Sequence, residues 1–156
     1  MGTRSRIGIM NKDGTVTSIY CHWDGYPENN GKILLQHYQD EAKIRALIGL
    51  GDLSILGDEI GEQHDFNDRS NNEGSVCTAY SRDRGERDVD ARTHAPDDWP
   101  DYGQEYVYVW RDGHWDFAKS NYGESTGTWQ RLTNSDVGLP PTTEELQNEG
   151  MFSLES

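Results

Sequence analysis

The sequence predicts a single α+β domain: an antiparallel sheet of about five strands with two helices packed on one face and long acidic loops. Two hairpin patterns, each built around an Asp-Gly turn, supply most of the sheet. Two short segments with helical apolar spacing lie between them. The chain has 156 residues, enough for one core and too few for two comfortable ones. Hydrophobic residues are only 33%, but five Trp and eight Tyr bury much apolar area per residue, which favours a folded domain over a disordered chain.

In the first hairpin, Ile7 and Ile9 alternate with Arg4, Arg6 and Gly8, as in a strand with one buried face. Asn11-Lys12-Asp13-Gly14 then turns the chain, and a β-branched and aromatic run from Thr15 to about Trp23 returns it. The segment Gly25 to Asn30, with Pro27, breaks the strand. A helix is expected from about Gly31, presenting Ile33, Leu34, Leu35 and Tyr38. Asp40 is placed to cap a second helix, Glu41 to Ile48, closed by Gly49 or Gly51. Asp52 to Gly57 is too short for more than a helical turn.

Residues 57–75 read as an acidic loop and Val76 to Tyr80 as a short strand. Pro96 and Pro100 bar regular structure near the end of 82–103. The second hairpin runs from Tyr106 to Trp110, through Asp112-Gly113, and back along His114 to Ala118. Its aromatic density exceeds what one face can present to two helices. Some rings of the set Trp99, Tyr102, Tyr106, Tyr108, Trp110, Trp115, Phe117 and Trp129 therefore belong on the other face, bare or under the long loops. Residues 1–132 are expected to form the domain. Residues 133–156 form an acidic, weakly structured tail with a weak helix from Thr142 to Gln147.

The net charge of −14 is concentrated. Residues 57–74 contribute −5, residues 96–105 contribute −4, and residues 133–156 contribute −5, while the remainder balances. A surface of this kind repels phosphate, so direct nucleic-acid binding is not expected. A basic partner protein suits it, with Asp58, Glu59, Glu62, Asp97, Asp98 and Asp101 as partner-binding residues; acidic loops also serve plain solubility. No apolar run approaches a membrane span, and no signal peptide or myristoylation pattern opens the chain, so cytoplasm is the expected compartment. Cys21 and Cys77 are too few for a disulfide framework.

Four groups of residues bear on chemistry. Strand alternation puts Tyr20, His22 and Asp24 on one face and Ile19, Cys21 and Trp23 on the other. His22 and Asp24 then sit together at a glycine turn, as an acid/base pair, a ligand clamp, or a hydrogen-bonded structural histidine. His64-Asp65 is a second His-Asp pair. Cys21, His22, Asp24, His64 and Cys77 supply metal donors, yet their spacing fits no standard zinc pattern, and no metal or cofactor is expected. Ser81 to Arg87 concentrates arginine, so Arg82 and Arg84 could hold a phosphate or carboxylate, or lie in a solvated charge network. In a catalytic reading His22, Asp24 and His64 do the acid/base work, with Tyr20, Trp23, Tyr26, Arg82 and Arg84 lining a nucleotide-type ligand. The recognised nucleotide, hydrolase, zincin and kinase motifs are absent from the sequence.

The stretches Gly2-Thr3-Arg4-Ser5-Arg6-Ile7, Ile19 to Tyr26, Gly31-Lys32-Ile33-Leu34, Leu50 to Ser54 and Ser81 to Glu86 resemble a group of small, uncharacterised proteins encoded by tailed phages and prophages. The likeness spans roughly residues 2–86. It implies an accessory or counter-defence factor acting in the infected cell, commonly by binding a host protein, and it brings no catalytic residue. The leading expectation is therefore a non-catalytic binder whose acidic, partly DNA-like surface engages a basic host protein. A nucleotide-binding or nucleotide-hydrolysing protein is the alternative.

Overall fold

The computed structural model describes residues 3–67, 76–120, 129–140, 142, 143 and 145. The sheet is mixed and larger than the sequence predicts: eight strands among the described residues, in place of an antiparallel five. The two hairpins are present. β1 (Ser5–Met10) and β2 (Val16–Cys21) pair antiparallel, as do β6 (Tyr106–Arg111) and β7 (His114–Lys119). The tight turn of the second is made by Asp112 and Gly113, both at positive φ (55° and 79°), the conformation that Asp-Gly adopts most readily.

The antiparallel expectation fails because of how the hairpins join. β1 runs parallel to β6, pairing Ile7 with Tyr108 and Ile9 with Trp110, so the N-terminal strand lies at the centre of the sheet. The rest of the difference comes from strands too short for alternation to register. β3 (Leu53–Ile55) stands where a helical turn was expected and pairs parallel with β2 through Cys21 and Leu53. β4 (Thr78–Ala79) is shorter than the expected 76–80 strand, because Tyr80 already opens a helix. β5 (Arg92–His94) pairs with the first half of β2, end to end with β3, and β8 (Gln130–Arg131) closes the edge beside β7.

Three short α-helices accompany the sheet among the described residues. A π-turn, Pro27–Gly31, leads into α1 (Lys32–His37). α2 (Glu41–Gly49) is capped by the Asp40 carboxylate, which accepts the Ala42 amide. α3 (Tyr80–Arg84) ends on Gly85 in the left-handed region, at φ 70°. Leu34 and Tyr38 from α1 and its cap, with Ile44, Leu47 and Ile48 from α2, share one core with Ile7, Ile9, Ile19, Cys21, Leu53, Tyr108, Trp115 and Phe117. Its buried polar groups are bonded: Trp115 Nε1 donates to the Tyr38 carbonyl at 2.8 Å, Tyr38 Oη to Gly57 at 2.8 Å, and Tyr108 Oη to Gly25 at 2.6 Å.

The opposite face is covered as well. The segment 95–104 crosses it as a strap and sets Trp99 against Val16, Val107, Val109 and Ala118, with Met10 and Trp129 alongside. A Cβ on Gly8 would stand 2.7 Å from Val16 Cγ1 and 3.2 Å from the Trp99 ring, so glycine is what lets the indole lie on β1. β1 is thus buried on both faces, and Arg6, which alternation assigns to solvent, is wholly enclosed. Leu132 and Val137 also join the first core, the latter from a 3₁₀ turn, Ser135–Val137. The expected helix 142–147 falls mostly outside the described residues.

Candidate functional site

The strand end that carries His22 and Asp24 does not make a pair. Regular β2 stops at Cys21, and Asp24 takes a positive φ of 56°, which breaks alternation. His22 Nδ1 meets Tyr20 Oη at 2.7 Å, and burial, with Arg4 adding its charge, pushes its pKa below the usual imidazole value. Asp24 instead offers its backbone carbonyl to Asn29 and Asn30, with its side chain exposed. Ile19 and Cys21 point inward as expected, but Trp23 does not: it is 41% exposed and, with Tyr26 at 38%, forms an open aromatic corner. The His22 ring stands edge-on to Trp23, 4.7 Å between centroids.

His64 and Arg82 do converge, around Asp83. Arg82 Nε and Nη2 donate to the two Asp83 oxygens at 3.0 and 3.1 Å, Nη2 also reaches the Cys77 carbonyl, and Nη1 reaches Ile60 and Gly61. Those five bonds account for all five guanidinium N–H groups. The buried Asp83 carboxylate accepts in addition the amides of His64 (3.0 Å) and Ala79 (2.7 Å). Burial works to raise its pKa, but the Arg82 bond and the two amides prevail and hold it below the ordinary carboxylate value. The His64 ring faces two carbonyls, Cys77 and Asp65, with Asp83 at 3.6 Å; these outweigh desolvation and raise its pKa. This cluster ties the 60–64 segment to α3. Among the described residues its hydrogen-bonding partners are separate from those of His22 and Asp24. Arg84 lies apart on Glu86, with its guanidinium over Phe66 and Tyr80.

The acidic residues are at the surface. Asp58 faces His37 at 3.6 Å and Glu59 faces Lys43 at 3.4 Å, whereas Glu62, Asp97, Asp98 and Asp101 form no salt bridge among the described residues. The strap holding the last three is stiffened from within: Trp99 Nε1 donates to Pro96, Gln104 Nε2 to Pro100, and Gln104 Oε1 accepts the Tyr102 amide.

Two cavities were not anticipated. One, about 470 Å³, lies between α1, the β6–β7 turn and β8, walled by Leu35, Trp115, Leu132, His114, Arg131 and Glu145. At its edge His114 Nε2 approaches Asp116 at 3.0 Å, and Asp116 is held from its other oxygen by Arg111. The i, i+2 spacing of His114 and Asp116, with Arg111 opposite His114 across the turn, follows from the hairpin register that the sequence predicts. The other cavity, about 420 Å³, opens between β5 and the strap. Among the described residues no three histidine, cysteine or acidic side chains gather as metal ligands, and no helix is long and apolar enough to cross a membrane. Comparison with protein-family models, curated proteins and solved structures finds no match.

Proposed function

We propose that the chain is a non-catalytic binding protein, a phage accessory factor of the host cytoplasm, whose acidic loops engage a basic host protein. The observation that carries the reading is the strap: Asp97, Asp98 and Asp101 are exposed, form no salt bridge among the described residues, and are mounted on a segment anchored by Trp99 and braced by Gln104. Fixed carboxylates steer a basic partner and raise its association rate. The alternative nucleotide site, with Arg82 and Arg84 holding phosphate, is less favoured because Arg82 has all five donors engaged and Arg84 pairs with Glu86.

The test is binding to purified basic nucleic-acid-binding proteins of the host at low and high salt, with and without duplex DNA as competitor. Binding that weakens with salt, is displaced by DNA and falls about tenfold or more in Asp97→Asn/Asp98→Asn/Asp101→Asn, at unchanged melting temperature, supports the reading. Binding that the triple variant retains in full overturns it.

A further inference from the structure

Arg6 is fully buried, and its guanidinium is only partly satisfied. Nε donates to Ser18 Oγ and Nη2 to the Ser18 carbonyl, both at 3.0 Å, and the Tyr102 hydroxyl favours its charged form, but Nη1 has no hydrogen-bond partner of good geometry among the described residues. Asp52 is the carboxylate whose charge supports Arg6, and one of its oxygens accepts the Tyr20 amide. Burial disfavours the Arg6 charge, and the Asp52 carboxylate with the Tyr102 hydroxyl offsets that only in part, so a further anion beside the guanidinium would be favoured.

What encloses Arg6 also walls the cavity between β5 and the strap. The Tyr102 ring lies over the Arg6 guanidinium at 4.9 Å, and Tyr102 Oη accepts from Arg92 Nε at 2.8 Å. Ser18 Oγ, which accepts from Arg6, also contacts His94 Nε2 at 2.8 Å. Arg92, His94, Trp99 and Tyr102 all line the cavity, and Arg92 is exposed. Two guanidinium groups therefore approach one phenol, with an imidazole linked to the buried one through Ser18. Asp98 among the lining residues, and Asp52 behind them, carry the opposing charge.

We propose that this cavity is a binding site for a small phosphate monoester, with the dianion taken by Arg92 at the mouth and by Arg6 Nη1 once Tyr102 swings aside. A dianion matches two positive charges where a carboxylate would match one, and Trp99 offers an aromatic wall to the organic part. The volume lies within the range of small-molecule sites. The site shares Asp98 and Trp99 with the acidic strap but concerns a small ligand rather than a protein partner, so it goes beyond that reading.

Calorimetric titration and thermal melting of the full chain with AMP, adenosine and acetate at constant ionic strength test it. AMP should bind and raise the melting temperature by about 5 °C near saturation, while adenosine and acetate should not. Arg92→Gln, at an exposed position, should weaken AMP binding about tenfold or more while keeping the fold. Arg6→Lys, which keeps charge but loses the fork, should also weaken it; if that variant fails to fold, Arg92→Gln alone decides. Absence of AMP binding, equal binding of adenosine or acetate, or unchanged affinity in Arg92→Gln overturns the assignment.

Discussion

Removing the Asp83 carboxylate should be among the most damaging single changes to this fold. In Asp83→Ala, Arg82 loses two of its five bonds and its counter-charge, and the amides of His64 and Ala79 lose their acceptor. Breaking a buried, hydrogen-bonded ion pair from one side costs about 3–5 kcal/mol. At roughly 2–4 °C per kcal/mol for a chain of this size, the melting temperature should drop by about 6–20 °C. Urea titration of wild type, Asp83→Ala, Arg82→Ala and the double variant measures the loss and the coupling, and the double variant should lose less than the sum of the singles. The pH dependence adds a signature. Asp83 is held below the ordinary carboxylate value, so its contribution is complete above the unfolded-state pKa of about 4 and is lost as pH falls through the lower folded value. The gap between wild type and Asp83→Ala should therefore stay constant from neutral pH to about pH 5 and narrow below pH 4. A loss under about 1 kcal/mol, or a gap that does not narrow in acid, would refute the view that this cluster anchors the 60–64 segment.

Other expectations concern smaller parts of the molecule. Burial pushes the Cys21 thiol up to about 12 and raises that of Cys77, so neither should react with a disulfide reagent in the native protein, and both should react after denaturation. His94 is lowered first by burial and then by the charge of Arg6, so the unfolded chain takes up its proton before the folded one. Stability should fall as pH drops below about 6.5, and His94→Gln should flatten that decline in pH-dependent urea melts. Gly113→Ala adds a Cβ with nothing within 4 Å but at φ 79°, so backbone strain alone should destabilise by about 1–2 kcal/mol, readable as a shifted urea midpoint at constant slope.

What the sequence made legible was local. Asp-Gly turns, alternation and the Asp40 cap identify the hairpins and α2 because each signal lies within a few residues of the structure it specifies. The parallel pairing of β1 with β6 has no such signal, since it depends on which exposed edges meet after the hairpins form. β5 and β8, at three and two residues, are too short to show a period. Site residues follow the same division. The arginine cluster around Arg82 is visible in the sequence, but the saturation of Arg82 by carbonyls from Ile60, Gly61 and Cys77 depends on chain segments up to 22 residues away. Arg6 was assigned to solvent because alternation assumes one open face, and the strap that closes that face is an irregular segment nearly a hundred residues later.

The central place of β1 also governs how the chain can be made. Its hairpin with β2 is complete by Cys21, yet the edge that receives β6 stays open until β6, Tyr106–Arg111, has been added, about 90 residues later. At translation speeds of roughly 5–20 residues per second, that edge waits about 5–20 s with its amides and carbonyls unpaired. A nascent chain in this condition is a template for any passing strand, so yield should depend on elongation rate and on holdase chaperones more than on the stability of the finished domain.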